Sequence, residues 1–244
     1  MQGTNIDRKI RKRSTSCFRQ ACAVESAAMR SGLSVSVVMT ADKLTLDDNT
    51  TCQLVRSSYG NINFYSVNME KLSEGSPLGP YLFILFTSIF EFTESFFHDA
   101  SYKKSQDAIV HLSDALRVLL IWKFGGLYLD LDYVVINKMT QYENFVVSNN
   151  GGKYGVTNNA FSFTHGHQFL FNVLNKMKES YNANCWSCNG PGLFTQSLQN
   201  ISEDASHSVS VNVIPLERYK MSILEVMFEL TCFFQNNGCK VASV

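Results

Sequence analysis

Residues 112–132 constrain the fold most, because the hydrophobic period changes halfway along this stretch. In its first half, leucines recur at three- and four-residue spacing, which predicts a helix. The pair Gly125-Gly126 then ends the helix, because glycine adopts a positive φ angle without steric cost. In the second half, leucines alternate with polar residues, which predicts a strand that continues through Ile136. Those polar residues are Tyr128, Asp130 and Asp132. The chain is therefore predicted to be α/β, with a helix that turns directly into a strand.

The carboxylates of this stretch indicate a ligand site. Asp130 and Asp132 offer hard oxygen ligands, which suit Mg²⁺ or Mn²⁺ bound together with substrate phosphates. Asp114 and Arg117 lie three residues apart, so they share one face of the helix. A tight glycine turn would bring that face beside the strand, and we predict that these groups converge on one ligand. Taken singly, the aspartate pair also fits a solvated turn, and Asp114 with Arg117 also fits a surface ion pair.

Composition narrows the class of protein. The 244 residues suit one α/β domain with a sizeable core, and 45% hydrophobic with 17% charged residues is typical of a globular chain. The 21 basic residues balance the 21 acidic ones, which gives no electrostatic case for a nucleic-acid partner. No run approaches the roughly 18–20 apolar residues of a membrane-spanning helix. We predict a basic tail at 1–14, one domain at 15–216 and a separate terminal segment at 217–244.

The order of the remaining segments is typical of a nucleotide-binding α/β protein. The predicted elements are a helix at 17–30, strands at 33–40 and 61–67, an aromatic helix at 77–97, strands at 145–148 and 155–163, a helix at 168–181 and a strand at 211–215. On the first helix, Glu25 is predicted to lie on an exposed face.

The cysteines and glycosylation sequons suggest a secreted or lumenal protein. Cys185 and Cys188 have no second pair at zinc-finger spacing, so a structural zinc site is not predicted. Asn49 and Asn200 begin N-glycosylation sequons, which suit an oxidising compartment and some disulfides.

Read as a whole, the central stretch resembles a known family signature. Ser113-Asp-x-x-Arg, seven mostly apolar residues and then Gly-Gly-x-Tyr-x-Asp-x-Asp is similar to the signature of DXD-type glycosyltransferases of the GT-A fold. The closest resemblance is to their α-1,4-galactosyltransferase and α-1,4-N-acetylglucosaminyltransferase group. Residues 22–28, 156–169 and 189–195 also resemble segments of that group. Residues 217–244 depart from its pattern and lack its His-x-Trp-Asn motif, so we predict a divergent or truncated end.

The resemblance implies a single GT-A-like, Rossmann-type domain for nucleotide-diphospho-sugar transfer, which uses Mn²⁺ (or Mg²⁺) and a UDP-sugar. It implies these roles: metal ligands, Asp130 and Asp132; donor binding, Asp114, Arg117, Tyr128 and Asp130; catalytic or positioning groups, Asp130, Asp132, Asn158 and Asn159; acceptor side, Gly190, Pro191 and Thr195.

The implied reaction is retaining transfer of galactose (or N-acetylgalactosamine) to a glycolipid such as lactosylceramide, in α-1,4 linkage. The implied location is the Golgi lumen or membrane, with membrane association only through an anchor that this chain lacks. Two alternatives stay open. One is α-1,4-N-acetylglucosamine transfer to glycoprotein glycans, and the other is a non-catalytic, truncated relative that only binds UDP. A metal-dependent phosphatase or nuclease is disfavoured, because no further Asp/His cluster supplies a second metal site.

Overall fold

The chain builds two compact units from interleaved segments. The computed structural model describes residues 20–39, 57–79, 102–138, 143–148, 155–203, 209–215, 223–225, 233–235 and 238–240. The first unit draws on residues 1–67, 130–141 and 218–244, and the second on residues 68–129 and 142–217. Because each unit combines separated segments, neither corresponds to a contiguous stretch of sequence.

The first unit contains a helix against a parallel pair of strands. Helix α1 spans 20–30, strand β1 spans Val35–Met39 and strand β2 spans Ile62–Ser66. The strands pair in parallel, with Val35 opposite Ile62. A small core joins α1 to β2 through Ala21, Val24 and Ile62. These elements confirm the prediction for this region within the described residues.

Two further strand pairs belong to the first unit. Strand β4 (Tyr133–Val135) pairs antiparallel with β8 (Ile223–Glu225). Strand β9 (Phe233–Gln235) pairs antiparallel with β10 (Gly238–Lys240). The backbone N–H of Val135 donates to Ser26 Oγ over 3.0 Å, which ties β4 to α1.

The second unit packs helices on a four-stranded sheet. Its helices are α2 (Met69–Ser73), α3 (Tyr102–Phe124), α4 (Gln168–Ser180) and α5 (Leu193–Glu203). Its strands are β3 (Gly126–Leu129), β5 (Phe145–Ser148), β6 (Val156–Phe163) and β7 (Asn212–Pro215). The strand order is β3-β6-β5-β7, with β6 antiparallel to both neighbours and β7 parallel to β5.

Phenylalanine side chains form the centre of this unit. Phe161 on β6 lies 5.1 Å from Phe194 on α5, and Phe169 on α4 lies 5.1 Å from Phe163, measured between ring centroids. All four rings are buried, as is Phe145 on β5. These contacts hold α4 and α5 on the sheet, and the α/β fold predicted from the sequence is confirmed.

The strand predicted from Leu127 through Ile136 is wrong in its middle. Strand β3 ends at Leu129, the N–H of Tyr133 donates to the Asp130 carbonyl over 3.2 Å, and β4 then begins in a different sheet. Leu131, predicted to lie on the leucine face of the strand, is 44% exposed. Aspartate is disfavoured in strands and common in turns, so two aspartates in three residues outweigh the alternating pattern.

The other predicted elements in the described residues lie within a few positions of those observed. Strand β5 has the predicted bounds, and β6, β7 and α4 begin or end one residue from the predicted positions. The predicted aromatic helix falls largely on residues 80–97, which lie outside the described residues. Among the described helices, none combines the length and the apolar character needed to cross a membrane.

Candidate active site

Helix α3 presents three polar residues on one buried face. His111, Asp114 and Arg117 follow one another at three-residue spacing and are all buried. The N–H of Gly125 still donates to the Ile121 carbonyl over 2.8 Å, and the positive φ angles of Gly125 and Gly126 then reverse the chain into β3.

The carboxylate of Asp114 is the centre of a buried polar cluster. Its Oδ1 accepts a hydrogen bond from Asn158 Nδ2 at 2.8 Å and lies 3.6 Å from Arg117 Nε. Only 4% of Asp114 is exposed. Burial raises the pKa of Asp114 above its ordinary value, while Arg117, the Asn158 amide and His111 each act to lower it. Desolvation is the largest of these effects, so the three neighbouring groups only partly offset the rise in pKa.

Arg117 connects this cluster to the strand that precedes the aspartate pair. Its Nη1 donates to the Asn158 carbonyl at 3.0 Å, and its Nη2 donates to Ser113 Oγ at 3.1 Å. Its guanidinium carbon lies 4.9 Å from the centre of the Tyr128 ring, within range of a cation–π contact. The Tyr128 ring stacks on Phe161 at 5.4 Å. Arg117 therefore contacts both Asp114 on α3 and Tyr128 on β3.

A turn that is distant in sequence packs against the Asp114 side chain. This turn, Cys188–Gly192, is a single π-helical turn that leads into α5. A Cβ atom added to Gly190 would lie 2.5 Å from Asp114 Oδ2 and 2.7 Å from Asn158 Nδ2. Such distances leave no room for a side chain, so Gly190 allows the backbone to approach the carboxylate directly.

Thr195 fixes the turn to the sheet. Its Oγ1 donates to the Pro191 carbonyl at 3.0 Å and accepts from the Val156 N–H at 3.1 Å. Gly190 and Pro191 of this turn, together with Thr195 on α5, are thus linked to Asp114 and to the start of β6.

The two candidate asparagines separate. The burial pattern along β6 alternates at this point, so Asn158 is buried and Asn159 is on the other face. Asn159 Oδ1 accepts from Thr157 Oγ1 at 2.7 Å. Asn158 therefore joins the cluster, and Asn159 does not.

His111 is a cluster member that the sequence reasoning missed. Its Nδ1 lies 3.1 Å from Tyr181 Oη, and its Nε2 lies 3.2 Å from the Cys185 carbonyl oxygen. Cys185 and Cys188 form a disulfide, so the loop after α4 is closed on itself and bonded to α3. Burial raises the pKa of Tyr181. The available signal was spacing, because His111 lies one helical turn before Asp114 on the same face.

The Asp130–Asp132 turn belongs to the first unit. Asp130 is partly exposed and Asp132 is exposed. Within the described residues, no three His, Cys, Asp or Glu side chains group as a complete metal site. Two carboxylates that leave the other positions to phosphate and water oxygens fit Mg²⁺ or Mn²⁺ in a substrate complex.

Three further residues were singled out in the sequence: Glu25, Asn49 and Asn200. Glu25 is buried, and its Oε1 accepts from Tyr59 Oη at 2.6 Å, so the prediction of an exposed glutamate is wrong. The Ala-rich face of α1 packs inward, which carries Glu25 with it. Asn200 is exposed on α5. Asn49 lies outside the described residues.

The aspartate pair directly follows strand β3, and helix α3 carries the buried Asp114 and Arg117. A family described as "Glycosyltransferase sugar-binding region containing DXD motif" matches residues 18–150, more than half of the chain. The chain belongs to this family. A second family, "Alpha 1,4-glycosyltransferase conserved region", matches residues 162–220.

Individual relatives agree with this assignment. Lactosylceramide 4-alpha-galactosyltransferase of Mus musculus is 29% identical over 212 residues, 81% of this chain and 53% of that protein. Alpha-1,4-N-acetylglucosaminyltransferase of Homo sapiens is 28% identical over 143 residues, 59% of this chain and 37% of that protein. The chain thus spans about half the length of the mouse relative and less of the human one. Among solved structures, PaToxG glycosyltransferase is 15% identical with a TM-score of 0.49, over 75% of this chain and 63% of that one.

Proposed function

We propose that the chain is the catalytic region of a metal-dependent, retaining glycosyltransferase. It moves galactose (or N-acetylgalactosamine) from a UDP-sugar to a glycolipid such as lactosylceramide, in α-1,4 linkage. The observation that carries this proposal is the buried cluster of Asp114, Arg117 and Asn158 against Tyr128, on the strand that runs directly into the Asp130–Asp132 turn. The named activities of the mouse and human relatives support an α-1,4 linkage.

The aspartate turn is the proposed metal and diphosphate side. Asp132 and Asp130 would hold Mn²⁺ (or Mg²⁺), and the exposure of Asp132 supports a ligand-facing role. When bound, a divalent ion supplies Lewis-acid stabilisation of the leaving diphosphate. Asp130 would also contact the ribose or sugar of the donor.

The helix and strand cluster is the proposed donor side. Asp114 and Arg117 are both buried, which favours a role in fixing Asn158 and Tyr128 for the donor. Arg117 supplies a fixed positive charge beside the Tyr128 ring, where a nucleotide would pack. The side chains of the cluster are held in position before the donor binds, so less conformational entropy is lost on binding.

The disulfide supports a location in the secretory pathway. The Cys185–Cys188 bond is typical of proteins in oxidising compartments, and Cys22 is also disulfide-bonded. We therefore propose the Golgi lumen, where lipid and protein glycans are extended.

The donor site is tested by thermal unfolding of the wild type and Asp132→Ala with Mn²⁺ and UDP. At a UDP concentration about 100 times Kd, binding adds about 2.7 kcal/mol of stability. For a chain of this size, that raises the Tm by roughly 5–10 °C. The wild type should show this rise only when both additions are present, and Asp132→Ala should lose it. Glu179→Ala removes an exposed carboxylate from α4 and is the matched control. An undiminished rise in Asp132→Ala would show that the metal role is wrong.

Transfer assays separate the substrate classes. UDP-galactose and UDP-N-acetylgalactosamine are offered with lactosylceramide, and UDP-N-acetylglucosamine with a galactose-terminated glycoprotein glycan. We expect product from lactosylceramide with UDP-galactose or UDP-N-acetylgalactosamine. Product only from the last would establish the N-acetylglucosamine alternative, which the human relative favours. Metal-dependent UDP binding without any product would leave the non-catalytic alternative.

A further inference from the structure

The loop between α4 and α5 carries an exposed tryptophan between its two bonded cysteines. Trp186 is 64% exposed and directly follows Cys185, which is disulfide-bonded to Cys188. Single exposed apolar residues are common on protein surfaces and need no explanation by themselves. This one differs because the short loop that holds it is fixed at several points.

Three contacts fix the loop on either side of Trp186. One residue before it, the Cys185 carbonyl oxygen lies 3.2 Å from His111 Nε2. Three residues after it, the Asn189 side chain bonds both backbone groups of Asn182, at 2.9 and 2.8 Å. Four residues after it, Gly190 packs on Asp114. An aromatic side chain on such a loop loses little conformational entropy when a ligand binds.

The chemistry of the loop selects the kind of ligand. Residues 181–192 include no Lys, Arg, Asp or Glu, so this segment supplies no charge for a diphosphate. Close to Trp186 in the sequence, it does supply the exposed amide of Asn184 and the exposed hydroxyl of Ser187. An apolar ring face with neutral hydrogen-bonding groups beside it matches a neutral sugar, whose axial C–H groups form an apolar patch and whose hydroxyls surround it.

We propose that Trp186 is a stacking platform for a neutral hexose ring of the acceptor. This inference rests on the proposed function for the identity of the acceptor. The residues at both ends of its loop contact α3 one turn apart, at His111 and Asp114, so the loop that carries Trp186 packs next to the buried cluster. Trp186 would set acceptor affinity, and donor binding would not depend on it.

The two tryptophans of the chain allow a direct binding test. Trp122→Phe leaves Trp186 as the single indole, and the lost Nε1 has no hydrogen-bond partner in the described structure. Phenylalanine also keeps the ring contact that Trp122 makes with Phe171 at 6.0 Å. We expect the fluorescence of Trp122→Phe to change in a saturable way with a soluble lactoside. Mannitol, which has no ring face, should not change it. In Trp186→Phe, which leaves only Trp122, the lactoside should have no effect.

Kinetics give a second readout. Trp186→Ala should raise the acceptor KM by about tenfold, the effect of roughly 1.4 kcal/mol, and leave the UDP-sugar KM unchanged. Trp186→Tyr should recover most of the affinity, because it restores an aromatic face. Equal losses in both KM values would indicate a general disturbance of the loop and would overturn the assignment.

The outcomes distinguish this inference from the function on which it rests. An unresponsive Trp186 in a protein that still shows the metal-dependent UDP shift overturns the inference alone. A lactoside response in a protein with no UDP shift and no transfer supports the platform and contradicts the proposed reaction. A fluorescence change with phosphatidylcholine vesicles that carry no sugar, and none with the lactoside, would show that Trp186 contacts the bilayer and would overturn the inference.

Discussion

Replacing Gly190 by alanine is the sharpest test of the buried cluster. The new Cβ would lie 2.5 Å from Asp114 Oδ2, 2.7 Å from Asn158 Nδ2 and 2.8 Å from Asp114 Cγ. All three distances are far below van der Waals contact, and the crowded atoms belong to a hydrogen-bonded pair. Alanine at Gly190 must therefore move the turn or break the bond between Asp114 and Asn158.

The expected cost combines two effects. Overpacking a well-packed site costs about 1–3 kcal/mol, and a hydrogen bond to a charged group is worth about 1.5–3 kcal/mol. Partial relaxation keeps either loss from being complete, so we expect about 2–4 kcal/mol in the free energy of unfolding. For 244 residues this lowers the Tm by roughly 5–15 °C. Donor affinity, read from the UDP-dependent shift, should fall with it.

The assay compares three glycines by urea and thermal unfolding. Gly60→Ala meets no atom within 4 Å and should be neutral. Gly192→Ala, in the same turn as Gly190, meets the Ser187 carbonyl oxygen at 3.1 Å and should be intermediate. In an Asp114→Ala background, the penalty at Gly190 should shrink by at least about 1 kcal/mol, since two of the three crowded atoms are gone. A Gly190→Ala protein as stable as Gly60→Ala would refute the described packing.

Two further predictions concern neighbouring residues. The pKa of Asp114 is raised by burial, so its stabilising contribution is fully present below the ordinary value of 3.8 and is lost as pH rises through the folded-state pKa. We therefore compare the unfolding free energies of the wild type and Asp114→Asn in urea titrations at several pH values. The wild-type value minus the variant value should fall as pH rises above 3.8, by at most about 1.4 kcal/mol per pH unit. A difference that rises with pH would contradict this. Thr195→Val should lower the free energy of unfolding by about 1 kcal/mol, because the Val156 N–H loses its acceptor. Thr195→Ser keeps the hydroxyl and should not lower it. Equal urea midpoints for the two variants would show that the hydrogen bond from Val156 to Thr195 does not stabilise the protein.

Local pattern was sufficient for most elements of the fold. The helix that ends at Phe124, just before the glycine pair, and the buried strand Phe145–Ser148 follow directly from periodicity and glycine placement. The error at Asp130–Asp132 arose because alternation was allowed to outweigh the turn preference of aspartate. The two halves of that segment join different sheets. Their partner strands lie far along the chain, so no local pattern can predict the pairing.

The site divides in the same way. Helical spacing was enough to place Asp114 and Arg117 on one face, and the glycine pair was enough to bring them to Tyr128. Their burial could not be predicted, because it depends on the turn at Gly190, which arrives from a distant segment. The same holds for His111, whose partners follow α4. Strand alternation separates the two asparagines of β6, but which of the two faces is buried depends on packing against distant segments.

The position of β5 affects how the second unit is completed during synthesis. Phe145, Val146 and Val147 are fully buried, and one edge of this strand is covered only when residue 145 pairs with residue 212. The antiparallel neighbour β6 is close in sequence and can pair early. The parallel pairing with β7 joins residues that are far apart in sequence, so it forms late. Until β7 has left the ribosome, the most apolar strand of the sheet therefore has an open edge. In that interval the nascent chain is most exposed to aggregation and to capture by chaperones.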